Sequence, residues 1–129
     1  MNIPIVSVIT PFIKYDKLLD EMICSLQLQT LQEWELIMVF DGFKNNLPSP
    51  LLYRNDDRIK LCCRDEKLGA NGSRNYGLKI SNGMYIQWFD SDDLMSPEFL
   101  ELKVKSLNES NADFVVCKGA IFKGKIENK

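Results

Sequence analysis

The 129-residue sequence contains no histidine. That absence removes Ser-His-Asp and Cys-His catalysis, both of which need an imidazole to carry the proton. It also leaves a zinc centre short of ligands, because Cys24, Cys62, Cys63 and Cys117 show no C-x-x-C spacing. Sparse, scattered cysteine fits a reducing compartment. Lysine and arginine are dispersed rather than massed and the formal net charge is −2, so nucleic acid is not an expected partner. No run approaches the ~18 consecutive apolar residues of a membrane span. The opening "MNIPIVSVITPF" has no early positive charge and reads as a first strand rather than a signal peptide. Internal repeats, low-complexity tracts and linkers are also missing, and the polar tail "KGKIENK" is expected to fray. What remains, 45% hydrophobic and 26% charged, suits one globular domain over residues 1–129.

Hydrophobic periodicity orders the elements. "IVSVIT" (5–10), "WELIMVF" (34–40) and "MYIQWF" (84–89) read as buried strands, and "RIKLCC" (58–63) as a further strand. Leu18, Leu19, Met22, Ile23 and Leu26 recur at helical spacing over 16–29. The segment 43–57, rich in Asn, Pro and Asp, reads as a loop with room for one helical turn. A second helix is expected over 70–81, ended by Gly83. A third starts with Ser96 as N-cap and Pro97 at the first helical position, and carries Leu100, Val104 and Leu107 as its apolar stripe. "DFVVCK" (113–118) reads as a fifth strand and "AIFKG" as a short sixth. Strands alternating with helices predict an α/β, Rossmann-like fold, a mostly parallel sheet with helices on both faces.

In such sheets ligands bind outside the carboxyl ends of the strands. Thr10, Pro11 and Phe12 follow the first strand, Asp41 the second, and Asp90, Asp92 and Asp93 the fourth, so all are expected along one rim. Two carboxylates about 5 Å apart repel by roughly 3 kcal/mol at an effective dielectric near 20. A solvated turn would spread those charges, a shared proton would neutralise one, and a divalent cation would use them. Position at a strand's carboxyl end favours the cation, and oxygen ligands without histidine favour Mg²⁺ or Mn²⁺ bridging a diphosphate. Asp41 reads either as a turn former before Gly42 or as an acceptor for a nucleobase N–H. "GANGSRNYG" (69–77) lacks both G-x-G-x-x-G and G-K-[ST], yet Gly69, Gly72 and Gly77 around Arg74 allow close backbone approach, which leaves the base, a phosphate or the acidic rim as partners for Arg74. Trp34 and Trp88 read as core residues, Cys62 and Cys63 as strand packing, and Phe12 as able to stack on a base.

The ordered blocks "VSVITPF", "SLQLQT", "WELIMVFDG", "GANGSRNYG" and "YIQWFDSDD" resemble the N-terminal half of a family 2 glycosyltransferase of the GT-A fold, over residues 3 to about 118. The resemblance implies an inverting, metal-dependent transferase that binds a nucleotide-sugar, commonly a UDP-sugar. By motif position, Thr10, Pro11 and Phe12 line the nucleoside pocket, Asp41 contacts the base, and Gly69 and Arg74 sit near base or diphosphate. Asp90, Ser91 and Asp92 form the D-x-D region, with Asp92 and Asp93 nearest the metal, Mn²⁺ or Mg²⁺. Four positions depart from the family pattern: Ile13 replaces an Asn, Phe40 and Phe43 flank Asp41-Gly42 where an Asp and a Ser are usual, and Lys67 replaces an Asn. These changes loosen base recognition.

The resemblance also implies a catalytic base, a carboxylate well after the D-x-D region. No acid in the segment after Asp93 fits: Glu101 and Glu109 are expected on an exposed helix face, and Asp113 before a strand on the wrong rim. The base is therefore expected beyond residue 129, and the chain alone is expected to bind donor and transfer little sugar. The acceptor of the full enzyme is implied to be a glycan or lipid-linked, and its location cytoplasmic, at the membrane's inner face, where nucleotide-sugars are available. Two other readings compete. A non-catalytic module of the same fold would self-associate through surface left exposed by truncation. A nucleotidyltransferase would carry a Gly-rich basic loop directly after the first strand, and "TPFIKYDK" has no glycine.

Overall fold

Seven uninterrupted residues of strand β1 (Val6–Phe12) lie at the centre of a parallel sheet, paired on one side with β2 (Trp34–Phe40) and on the other with β4 (Tyr85–Trp88). The structure, a computed structural model, describes residues 3–48 and 55–113. Among them β3 (Ile59–Cys63) pairs with β2, giving the order β3-β2-β1-β4. The strand expected at 113–118 falls, after Asp113, outside the described residues, as do the one expected after it and Cys117.

Residues alternate between two cores, as the pleat requires. Val6, Val8 and Phe12 with Trp34, Leu36, Met38 and Phe40 face helices α1 (Lys17–Gln27) and α3 (Phe99–Ser110). Ile9, Ile37 and Val39 face α2 (Gly69–Ile80), meeting Tyr76 and Ile80. Helices thus cover both faces, and β1 and β2 are buried on both, which is why each reads as a continuous apolar run.

The helices depart from expectation in three places. In α1, capped by the Asp16 carboxylate accepting from Leu19 N at 3.1 Å, the buried stripe is Leu19, Met22, Ile23 and Leu26, and Leu18 is exposed. Ser81, not Gly83, ends α2. Gly83 instead serves the sheet. Its N–H donates to Ser7 Oγ at 2.7 Å, and a Cβ there would meet Ser7 N at 2.6 Å, so only glycine lets this turn lie against β1. The third helix begins at Phe99 instead of Pro97. Its Leu100 N–H is capped by Gln29 Oε1 at 3.0 Å, while Gln29 Nε2 donates to Ser96 O at 2.6 Å and Thr30 N to Pro97 O at 2.8 Å. The end of α1 therefore holds Ser96-Pro97 in a turn and supplies the cap from a distance.

The strand β4 was expected to be buried, but it forms an edge of the described sheet, and Trp88 is 43% exposed rather than a core residue. Trp34, in contrast, is buried under the Arg58 guanidinium, 3.7 Å from the ring centroid. The loop after Gly42 does hold one helical turn, a 3-10 turn at Lys44–Asn46.

Candidate functional site at the sheet switch point

The chain winds from β1 to β3 on one side and then crosses to the far side of β1 for β4. That reversal opens a crevice between the carboxyl ends of β1 and β4, the position where parallel sheets accept ligands. A cleft of about 330 Å³ lies there, lined by Pro11, Phe12, Ile13, Asp41, Ala70, Arg74, Asp90, Ser91 and Asp92. A larger hollow of about 490 Å³ at the opposite rim includes Trp34, Glu35, Arg58 and Lys60. Its buried acid, Glu35, already accepts from Lys60 Nζ at 2.7 Å, Asn82 N at 2.6 Å and the Ser7 hydroxyl, so the smaller cleft is the chemically open one.

Asp41 is 7% exposed and faces the N-terminus of α2. Its Oδ1 accepts from Leu68 N at 2.7 Å and Gly69 N at 3.0 Å, and Oδ2 lies 3.1 Å from Gly69 N. The carboxylate therefore replaces the missing side-chain N-cap of α2 and complements its dipole. A carboxylate has about four acceptor sites, so Oδ2 keeps capacity towards the cleft. Gly69 adopts φ +77, a left-handed conformation that brings the chain round onto Asp41.

The acidic turn is pinned at both ends. Phe89 N donates to Ile9 O at 3.1 Å, extending the β1–β4 ladder, and Phe89 packs edge-on against Phe99 at 5.9 Å. Met95 is buried and its N–H donates to Ser25 Oγ at 3.2 Å. Between these anchors Asp93 N donates to Asp90 O at 3.3 Å, and the carboxylate oxygens of Asp90, Asp92 and Asp93 come within 4.8 Å of one another, all three exposed. Partial burial, then the charges of Asp90 and Asp92, push the Asp93 carboxyl above the usual range. Three hard oxygen donors and no histidine fit a Mg²⁺- or Mn²⁺-type ion by their chemistry. Arg74 projects from α2 to the same cluster, its guanidinium 3.6 Å from Asp90.

Ile13 and Ala70 also line the cleft, although their chemistry offers no signal in a sequence beyond position. Phe12 is 3% exposed, its ring 5.5 Å from that of Phe40, and so offers the cleft little free face for stacking. Thr10 is fully buried, outside the cleft lining, and its hydroxyl has no hydrogen-bond partner among the described residues.

The family model for glycosyl transferase family 2 matches residues 7–129. The chain belongs to that family. Similar curated proteins include the Escherichia coli UDP-Glc:alpha-D-GlcNAc-diphosphoundecaprenol beta-1,3-glucosyltransferase WfgD, 32% identical over 111 residues, covering 86% of this chain and 44% of WfgD. The glycosyltransferase GlyG of Streptococcus pneumoniae is 30% identical over 114 residues, covering 87% of this chain and 38% of GlyG. The structure of S. aureus TarS 1-349 in complex with UDP-GlcNAc superposes with a TM-score of 0.74 at 26% identity, over 95% of this chain and 37% of that one. The chain thus spans less than half the length of these family 2 relatives. Its Rossmann-like half is of the GT-A type that they share.

Proposed function

We propose that this chain is the donor-binding part of an inverting, metal-dependent glycosyltransferase that moves a sugar from a UDP-sugar to an acceptor hydroxyl. The observation that carries the reading is the convergence of three clustered carboxylates, Arg74 and the apolar end of β1 on one cleft at the switch point. TarS crystallised with UDP-GlcNAc, and WfgD named for UDP-Glc, support uridine as the base.

In this reading Pro11, Phe12 and Ile13 wall the nucleoside, with Thr10 behind them, and Asp41 Oδ2 accepts from the base N–H. Gly69 holds Asp41 in place through its backbone N–H. Arg74 and Ser91 face the diphosphate, and Asp90, Asp92 and Asp93 face the cation. A bound Mn²⁺ or Mg²⁺ on Asp92 and Asp93 would supply charge to stabilise the departing diphosphate. Inversion needs an acceptor hydroxyl opposite that leaving group and a carboxylate to take its proton. Among the described residues Glu101, Glu109 and Asp113 are exposed and outside the cleft lining, which supports a base further along the chain than residue 113, in keeping with one beyond residue 129. WfgD's lipid-linked acceptor supports a lipid-linked or glycan acceptor, and hence action at the cytoplasmic face of a membrane. No helix among the described residues is long and apolar enough to cross one.

The test is a thermal shift with about 1 mM UDP, with and without Mn²⁺, beside Asp92→Asn. For a Kd near ~100 µM, binding stabilises the fold by about 1.4 kcal/mol, a rise of a few degrees. A metal-dependent rise that disappears in Asp92→Asn is the expected result; no shift with either nucleotide or metal rejects the reading. A second reading, self-association, is favoured by Met84, just before β4, and Trp88, its last residue, both exposed at an edge of the described sheet. Light scattering that reports a monomer across a hundredfold range of concentration would remove it.

A further inference from the structure

Arg74 and Asp90 stand on opposite walls of the cleft, one on α2 and the other just past β4. The guanidinium has two polar partners among the described residues, Asp90 at 3.6 Å and Asn71 Oδ1 at 3.3 Å. No other Lys or Arg of the described residues pairs with Asp90, Asp92 or Asp93. The contact is also loose: charge-assisted hydrogen bonds close to about 2.7–2.9 Å, and the Asp90 side chain is 62% exposed. A pair of that kind is held weakly and surrendered readily.

Resting on the donor-site reading above, we infer that Arg74 couples cation binding to diphosphate binding by exchanging Asp90 for a phosphate. Without nucleotide, its positive charge occupies one of the three clustered acids and repels an incoming cation. With a diphosphate in the cleft, the planar guanidinium finds a better partner in phosphate oxygens, which accept bidentate hydrogen bonds. Asp90 is then released to the cation. The cation alone binds poorly and nucleotide tightens it, and by linkage the cation tightens nucleotide by the same factor. Arg74 is a positioning residue here, and its removal has opposite signs for the two ligands.

Those signs make the test. Mn²⁺ binding to the chain is followed by loss of the free-ion paramagnetic resonance signal, with and without UDP, and circular dichroism checks that each variant is folded. Wild type should bind Mn²⁺ weakly alone and more tightly with UDP. Arg74→Gln should bind Mn²⁺ alone about 3-fold more tightly, the size expected for an exposed ion pair. The same variant should bind UDP in the presence of Mn²⁺ about 10-fold more weakly, the size of a charge-assisted hydrogen bond. Arg74→Lys, which keeps the charge without the fork, should hold Mn²⁺ alone as wild type does. Unchanged or weaker Mn²⁺ binding by Arg74→Gln overturns the exchange. A wild-type chain that binds no Mn²⁺ even with UDP overturns the donor-site reading itself, and the two failures are told apart by which protein shows them.

Discussion

Asp93 and Gln29 show how differently two polar residues of one fold act. Burial, Asp90 and Asp92 all disfavour the Asp93 carboxylate, so its folded pKa lies above the ordinary value. A raised acid pKa means the folded state takes up the proton more readily than the unfolded chain, so stability falls as pH rises through that range. Without cation, Asp93→Asn should raise Tm at pH 7 by about 1–2 °C, small because solvent screens the cluster. The gain should fade below about pH 4, where the wild-type carboxyl is itself protonated. The same variant should lose the Mn²⁺-dependent shift with UDP, and a calorimetric scan at both pH values reads both effects. Gln29 is structural. It is buried, and its amide serves Leu100 N at 3.0 Å and Ser96 O at 2.6 Å. Gln29→Ala leaves a buried N–H and a carbonyl without these partners and should cost about 1–3 kcal/mol in urea unfolding. Nothing local marks this residue in the sequence, because its partners lie 67 and 71 positions away. The expected Ser96 cap was the locally reasonable choice, and tertiary structure supplied another.

At the scale of elements, α2 is the piece that carries the cleft, and its glycines divide the work. A Cβ on Gly77 would lie 2.6 Å from Ile9 Cγ2, so this glycine sets how closely the helix sits on β1. Gly69 has open space where a Cβ would go but φ +77. Gly77→Val should therefore cost about 1–3 kcal/mol by overpacking, and Gly69→Ala about 1–2 kcal/mol by backbone strain alone. Gly69→Asn, a side chain that tolerates the left-handed region, should recover part of that loss, whereas no side chain rescues Gly77. Equilibrium unfolding of the three variants separates the causes. Elements buried on both faces were the most legible in the sequence: β2 spans Trp34–Phe40, the very run read from its apolar residues. Elements whose surroundings depend on topology were not. Trp88 reads as core because it is aromatic within an apolar run, but the order β3-β2-β1-β4 leaves that strand at an edge of the described sheet. The rim positions of Pro11, Asp41 and Asp90 followed from parallel strands alone. The acidic rim was one of three partners expected for Arg74, and the choice of Asp90 required knowing that β4 crosses to the far side of β1.

The molecule as a whole has two rims of opposite character. At the carboxyl ends of the strands acids cluster, and partial burial, then the charges of Asp90 and Asp92, raise the Asp93 pKa. At the amino ends Glu35 and Asp56 are satisfied. Burial alone would raise Glu35, but Lys60, the Ser7 hydroxyl and the Asn82 N–H outweigh it and leave its pKa below the ordinary value. The Arg58 side chain does the same for Asp56, against a smaller opposing effect of burial, with further help from the Arg58 N–H and Gln27. That rim ties β1, β2 and β3 together through Glu35, which contacts Ser7, Lys60 and the turn at Asn82. A depressed acid pKa contributes stability that is fully present above the unfolded-state value and lost as pH falls through the folded one. Acid unfolding should therefore begin at the amino-end rim, while protonation relieves the carboxyl-end cluster over part of the same range. Glu35→Gln keeps the size of the side chain but removes its charge, and should lower stability at pH 7 by about 1–3 kcal/mol. Its deficit should shrink between about pH 5 and pH 3, as the wild-type carboxylate takes up its own proton. Urea unfolding of both proteins at pH 7, 5, 4 and 3 measures the two curves. Parallel curves would mean that Glu35 stabilises the fold by shape and not by charge. Converging curves would locate the acid sensitivity at the rim away from the cleft, so that the proposed donor site carries its repelling acids on a frame secured from the other end of the sheet.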